Sequence, residues 1–410
     1  MRVLIVTPIY PWPGNPQEGV FIHHQVMNLA HLGIRCRVLA YRAGPPRCPD
    51  WLMRWANSHY EWQGFNWPRQ FDTVTVGYAF HSRCRTSRED IVPSIGEALV
   101  NFIETHPQYL ETDVIYSQWL WSGGAASLIL RQQFGWPVVA IARGGEMQQW
   151  HAMHPYCRPY VEQVICEADR LLANCEGLRQ QAERLVPGSA SRISVVYNGC
   201  DADKFQPPVN KISLRRALRL KEDCKLLLFC GSIEEVKGIV ELADAWSRFS
   251  SSHPDWYLVV VGRTVEHSLV KKLKEAGNRR VIFTGQVPHE KVAMYLKAAD
   301  VYVQPSRLEG LSNATMEAMA VGLPVIATDT NGQRELIRDG INGWLVPPGD
   351  ANVLYQALMS VAKNLQQAQA CGLAARLTIK TKFDPQSHAG TLSMILKGIG
   401  RKALNQSTSR

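Results

Sequence analysis

At 309–322 the chain reads EGLSNATMEAMAVG, in which Glu309 and Glu317 stand eight residues apart. On one continuous helix that separation is a rise of roughly 12 Å, too far for two carboxylates to grip one small group. A helix that starts between them changes the chemistry. Ser312 and Asn313 are good N-cap types, Ala314, Met316, Ala318, Met319 and Ala320 are strong helix formers, and Gly322 followed by Pro324 is a stop. Glu309 then lies in the entry loop and Glu317 in the second turn. Between them sits a helix N-terminus, whose unsatisfied N–H groups and positive dipole end suit phosphate. One carboxylate can accept hydroxyls on each side of that phosphate. This is the order of a diphosphate joining a transferable sugar, at Glu309, to a nucleotide ribose, at Glu317. Taken alone, the pair also has a plainer reading as a core helix with Glu317 exposed and Glu309 in a loop.

Elements that could position such a site recur along the chain. The apolar run RVLIV (2–6) is followed by a loop and the helical pattern Phe21, Ile22, Val26, Leu29, Ala30, ending at Gly33. Further buried-strand candidates are 36–41, 113–117, 137–142, 170–174 and 193–197, most of them separated by helix-length segments. After NGCDADKFQPPVN the rhythm restarts, with strands expected at 225–231, 256–262, 280–285, 301–305 and 324–329. Alternating strands and helices predict an α/β fold of doubly wound parallel sheets, and the restart predicts two of them, divided near residue 205. Ligands of such sheets bind at the carboxyl ends of the strands, so a central cleft faced by both domains is the expected site.

Composition agrees with a large folded core. The 410 residues are 46% hydrophobic and 20% charged, without an eighteen-residue apolar run and without a signal-peptide pattern before the first strand, so a cytoplasmic protein is expected. The ten cysteines lack a C-x-x-C and zinc-ligand spacing, which predicts reduced, mostly buried thiols. Residues 1–205 carry 18 basic and 18 acidic side chains, so the whole excess of +9 lies beyond them. A basic half attracts nucleic acid, a membrane surface or a phosphorylated ligand. The basic residues are dispersed and no nucleic-acid-binding signature accompanies them, which argues against nucleic acid. From Pro385 onward Lys397, Arg401, Lys402 and Arg410 occur without an acid, as in a segment that leans on an anionic membrane or in a solvated tail. The Trp-rich stretch 51–67 could stack on sugars, sit at a membrane interface or form a satellite core.

The stretch 305–350, PSRLEGLSNATMEAMAVGLPVIATDTNGQRELIRDGINGWLVPPGD, resembles the retaining family 4 glycosyltransferases of GT-B fold in its P-S-x-x-E-G, E-x7-E, A-x-G-x-P-V-I-A and G-x-L-V-P-P-G-D elements. EGVFIHHQVMNLA near the start, RGGE at 143–146, YNGCD at 197–201 and GSIEEVKG at 231–238 agree with that family in order. The resemblance implies a GT-B arrangement with an acceptor-binding domain over 1–205, a donor-binding domain over 206–384, and a terminal helix over about 385–405 that packs back on the first domain.

It also implies roles. Glu317 would hold the ribose hydroxyls and Glu309 the donor sugar, with the amides of Gly310, Leu311 and Ser312 near sugar and phosphate. Lys237 would neutralise the diphosphate, or be a surface lysine. Gly19 would face the β-phosphate, or simply make a turn. Val287 would meet the base through its main chain. Arg143 would contact sugar or phosphate, or pair with Glu146. Ser232 departs from the family pattern, which has Gly-Arg here with the arginine on the diphosphate; Arg263 or Arg307 would have to compensate.

The implied reaction moves a sugar with retention from a nucleotide-sugar, UDP-sugar foremost, to a glycan or lipid-linked acceptor of a cell-surface polysaccharide. The leaving diphosphate is stabilised, the donor's own β-phosphate acts as base, and domain closure excludes water. No cofactor or metal is expected, and peripheral contact with the inner membrane face is consistent with the basic tail. Residues 201–203 read DAD, a literal D-x-D, but at the end of YNG Asp201 reads better as a turn or strand-end residue than as a metal ligand. Rival readings are a GT-B nucleotide-sugar epimerase and a non-catalytic nucleotide-sugar-binding subunit. A nicotinamide dehydrogenase is disfavoured, because TPIYPWPGNPQEG supplies no G-x-G-x-x-G.

Overall fold

The computed structural model describes residues 1–12, 15, 17–43, 74–81, 91–144, 147, 155–276 and 279–407. The Trp-rich stretch 51–67 and Glu146 lie outside them. The chain divides into two units, one comprising Met1–Tyr197 and Gln386–Arg410, the other Asn198–Pro385.

In the first unit seven strands pair in the order β3-β2-β1-β4-β5-β6-β7. They are β1 (Arg2–Thr7), β2 (Arg35–Ala43), β3 (Val74–His81), β4 (Val114–Gln118), β5 (Val138–Ala142), β6 (Arg170–Ala173) and β7 (Ile193–Val195). Every pairing is parallel. Continuous apolar runs such as RVLIVT and VVAIA are what a sheet covered on both faces requires. Val3, Ile5, Val38, Val114, Tyr116, Val139 and Ile141 form the core with Leu392 and Leu396 of the helix Pro385–Ser407.

The second unit has six parallel strands in the order β10-β9-β8-β11-β12-β13. These are β8 (Lys225–Cys230), β9 (Trp256–Val261), β10 (Val281–Gly285), β11 (Val301–Gln304), β12 (Val325–Thr328) and β13 (Trp344–Val346). Leu227, Phe229, Leu258, Val260, Val303 and Ile326 pack there with Trp246 and Phe249 of the helix Ile239–Ser252.

The α/β class with two doubly wound parallel sheets is therefore as the sequence predicts. Two strands go beyond it. VTVGYAFH forms β3 at one edge of the first sheet, and the three-residue β13 closes an edge of the second. Strand order reverses between β1 and β4 and between β8 and β11. These are the switch points at whose carboxyl ends a doubly wound sheet presents its ligand.

All eight described cysteines are free, and only Cys166 among them is exposed. Among the described residues no helix is long and apolar enough to cross a membrane, and no group of three His, Cys, Asp or Glu side chains could hold a metal.

Candidate functional site

In the second unit the helix begins between the two glutamates. It runs Asn313–Val321, with Ser312 as N-cap accepting from the Thr315 N–H and Gly322 ending it in the left-handed conformation. Glu309 lies in the loop after β11 and Glu317 in the second helical turn. Gly310, Leu311 and Ser312 are buried between them. Gly332 backs this loop closely: a Cβ there would stand 2.1 Å from the Gly310 carbonyl oxygen and 2.6 Å from the Leu311 nitrogen. Next to it Gln333, fully buried, donates from Nε2 to Thr315 Oγ1 at 2.9 Å.

Lys237 comes from the neighbouring strand of the switch point, on the short turn Glu235–Lys237 after β8. Gly238 follows at φ 72°, where a Cβ would fall 1.8 Å from the Pro305 carbonyl oxygen. Only glycine lets this turn sit against the end of β11, and the approach brings the Lys237 Nζ within 2.8 Å of Glu309 Oε2. Burial disfavours the ammonium, but the charges of Glu309 and then Glu234 outweigh it, so the Lys237 pKa lies above the ordinary lysine value.

Glu317 has a different partner. Its Oε1 is 2.8 Å from His289 Nε2, and His289 Nδ1 is 3.1 Å from Lys204 Nζ. Val287 lies two residues before His289, in the loop between β10 and the helix His289–Ala298. Asp201 belongs to a turn, its Oδ1 accepting from the N–H groups of Asp203 and Lys204 at 2.9 and 3.0 Å.

The loop that departs from the family pattern is also well defined. Ser232 donates to Glu234 Oε1. Arg307 donates to Glu241 Oε1 at 2.7 Å and to Glu235, so its guanidinium is committed to carboxylates. Arg263 is exposed, and its carbonyl oxygen accepts from the Ile233 N–H at 2.9 Å, which sets it beside Ser232; among the described residues its side chain has no ion pair.

In the first unit the structure brings Gly19 and Arg143 into one cluster. Gly19, at φ 66° and with the Ile9 carbonyl oxygen 2.9 Å from where a Cβ would be, starts the helix Val20–His31. That helix supplies Phe21 and Gln25. Arg143, just after β5, stacks over Phe21 and Trp119 at 5.0 and 5.9 Å. Its Nε donates to Gln118 Oε1 at 2.7 Å and its Nη2 to Gln25 Oε1 at 3.1 Å. Trp119 and Ser122, at φ 63° and 61°, make a strained turn at the end of β4.

His289, Lys204, Glu234 and Gln333 were not among the residues singled out from the sequence. Their only local signal is proximity to motif residues: Lys204 three positions after Asp201, His289 two after Val287, Gln333 within TNGQ.

Comparison with known proteins agrees with the fold. Residues 19–204 match the family described as Glycosyltransferase Family 4, and residues 210–378 match Glycosyl transferases group 1. TuaC of Bacillus subtilis (strain 168), a proposed teichuronic acid biosynthesis glycosyltransferase, is 27% identical over 365 residues, covering 87% of this chain and 88% of its own. Sucrose-phosphate synthase from Thermosynechococcus elongatus superposes with a TM-score of 0.80 at 21% identity, over 97% of this chain and 99% of its own. HepE from Anabaena, solved in complex with UDP, gives a TM-score of 0.73 at 18% identity, over 97% and 100%. With a glycosyltransferase family matched in each half, and with two doubly wound parallel sheets to carry them, the chain belongs to the glycosyltransferases of GT-B fold.

Proposed function

We propose that the protein is a retaining glycosyltransferase of family 4 that moves a sugar from a nucleoside diphosphate sugar to a glycan or lipid-linked acceptor in the synthesis of a cell-surface polysaccharide or glycoconjugate. The observation that carries this reading is the helix N-terminus at Asn313, with Glu309 before it and Glu317 after it. It offers a phosphate-binding end flanked by two hydroxyl acceptors. Glu317 takes the ribose, Glu309 the transferred sugar, and Lys237 the diphosphate, with the amides of Gly310, Leu311 and Ser312 on sugar and phosphate. Val287 meets the base through its main chain. In the first unit Gly19 serves the β-phosphate and Arg143 the sugar or phosphate.

The work of the protein in this mechanism is electrostatic. Charge develops on the departing diphosphate, and Lys237, charged throughout the neutral range, and the helix end stabilise it. The acceptor hydroxyl attacks on the face the diphosphate leaves, and a β-phosphate oxygen takes its proton. Neither glutamate acts as a nucleophile, and no divalent metal takes part.

A UDP-sugar is the donor expected first, supported by the UDP held by the structurally similar HepE. A polysaccharide or lipid-linked acceptor is supported by the name of TuaC. The basic tail, with Lys397 and Arg401 exposed, fits peripheral contact with an anionic membrane surface from the cytoplasm. A screen of UDP-, GDP- and ADP-sugars for donor hydrolysis, followed by transfer with the donor that turns over, tests the reading. Turnover with one donor and a product of retained anomeric configuration supports it; epimerisation without transfer, or binding without turnover on any acceptor, overturns it.

A further inference from the structure

We propose that His289 and Lys204 are positioning residues for Glu317: Lys204 fixes the His289 tautomer, and that tautomer aims the carboxylate. The proposal rests on the reading that Glu317 receives the ribose hydroxyls.

The hydrogen bonds allow one assignment of protons. An ammonium has donors and no acceptor, so Lys204 Nζ, 3.1 Å from Nδ1, can only donate to it. Nδ1 must then present its lone pair. The neutral imidazole carries its proton on Nε2, which donates to Glu317 Oε1 across 2.8 Å. One carboxylate oxygen is thereby held, and the other is left in a fixed direction to accept from a ligand. Among the described residues Glu317 bonds to no other side chain.

The parts that hold Lys204 are themselves anchored. Asp201 closes the turn that carries it, the Lys297 Nζ donates to its carbonyl oxygen at 3.2 Å, and Arg376 donates to the next carbonyl, that of Phe205, at 3.0 Å. Phe205 is 2% exposed and meets the His289 ring edge-on at 5.6 Å. His289 is the first residue of its helix, so its ring is fixed from both the helix and the turn. The DADKF segment, a literal D-x-D, thus acts on the nucleotide site through a histidine.

Two measurements on the full chain test this. Histidine 15N chemical shifts at mildly alkaline pH, with the His289 signals assigned from their loss in His289→Gln, should show a protonated Nε2 and a bare Nδ1 in the unliganded protein. Calorimetry with UDP, GDP and ADP should show His289→Ala weakening nucleotide affinity about 10-fold, the scale of one hydrogen bond to a charged group. His289→Gln should recover most of that, because its amide nitrogen can stand where Nε2 stood. Lys204→Met should lose less and move the proton toward Nδ1. Wild-type His289 with its proton on Nδ1, or unchanged affinity in His289→Ala, overturns the proposal. Failure of the ribose reading looks different: Glu317→Ala would leave nucleotide affinity intact while the tautomer stays as described.

Discussion

Lys237 Nζ and Glu309 Oε2 are 2.8 Å apart, a partly buried ion pair between the loop after β8 and the loop after β11. The two residues are separated by 72 positions and meet only because β8 and β11 are neighbours at the switch of strand order. Glu309 thus has a lysine ammonium beside it, whereas Glu317 has the imidazole of His289.

That difference predicts separable effects. Glu317→Ala should chiefly weaken nucleotide binding, and Glu309→Ala should largely spare it while transfer collapses. Each loses a charge-assisted hydrogen bond of about 1.5–3 kcal/mol, or roughly 10- to 150-fold. Nucleotide affinity by calorimetry, measured beside turnover, checks the division; equal losses of affinity in both variants would refute it.

The fold was legible in the sequence because parallel strands covered on both faces must be continuously apolar, as RVLIV and KLLLF are. The start of the helix at Asn313 was legible because Ser312 is an N-cap by residue type and Gly322 a stop. β13 was not, since three residues at a sheet edge carry little periodicity. The His289–Glu317 contact was illegible for another reason: it joins residues 28 positions apart, and nothing in GQVPHEKV marks the histidine's partner.

A second prediction concerns acid stability. Arg2 ties β1 to β4, its main-chain N–H bonding Asp113 Oδ2 at 2.7 Å and its Nη2 bonding Oδ1 at 2.6 Å. Burial pushes the Asp113 carboxyl up, but the bonds from Arg2 outweigh burial and leave it below the ordinary aspartate value of 3.8. A lowered folded pKa means that the contribution is fully present above that ordinary value and is lost as pH falls through the folded one. Asp113→Asn should cost about 1–3 kcal/mol at neutral pH. Chemical denaturation across acidic pH should show the gap to wild type closing only below the ordinary aspartate value.

A third is activity without a divalent metal. Asp201 Oδ1 is already engaged by the N–H groups of Asp203 and Lys204, the geometry of a turn. Activity should persist in EDTA. Full loss in EDTA, restored by Mg²⁺ or Mn²⁺, would contradict this and return the DAD segment to the role of metal ligand.

The last prediction concerns the cation that Ser232 leaves out. The family pattern places an arginine there for the diphosphate, and in this chain Ser232 instead donates to Glu234. Arg307 is a poor substitute, because it is held by Glu235 and by the buried Glu241, whose Oε2 has no hydrogen-bond partner among the described residues. Removing Arg307 should cost stability, about 1–3 kcal/mol for a buried acceptor left unsatisfied, more than it costs diphosphate affinity. Arg263 stands exposed beside the Ser232 loop and is free to turn toward a phosphate. Arg263→Ala should therefore lower diphosphate affinity or turnover by roughly 10- to 100-fold, the scale of one charged hydrogen bond. Ser232→Arg should be neutral or harmful, since the new guanidinium meets Glu234 first and a site already served by Arg263. Diphosphate affinities of the three variants, read beside their thermal unfolding, decide the matter. A clear gain in Ser232→Arg, with affinity unchanged in Arg263→Ala, would mean that the cation is missing rather than replaced.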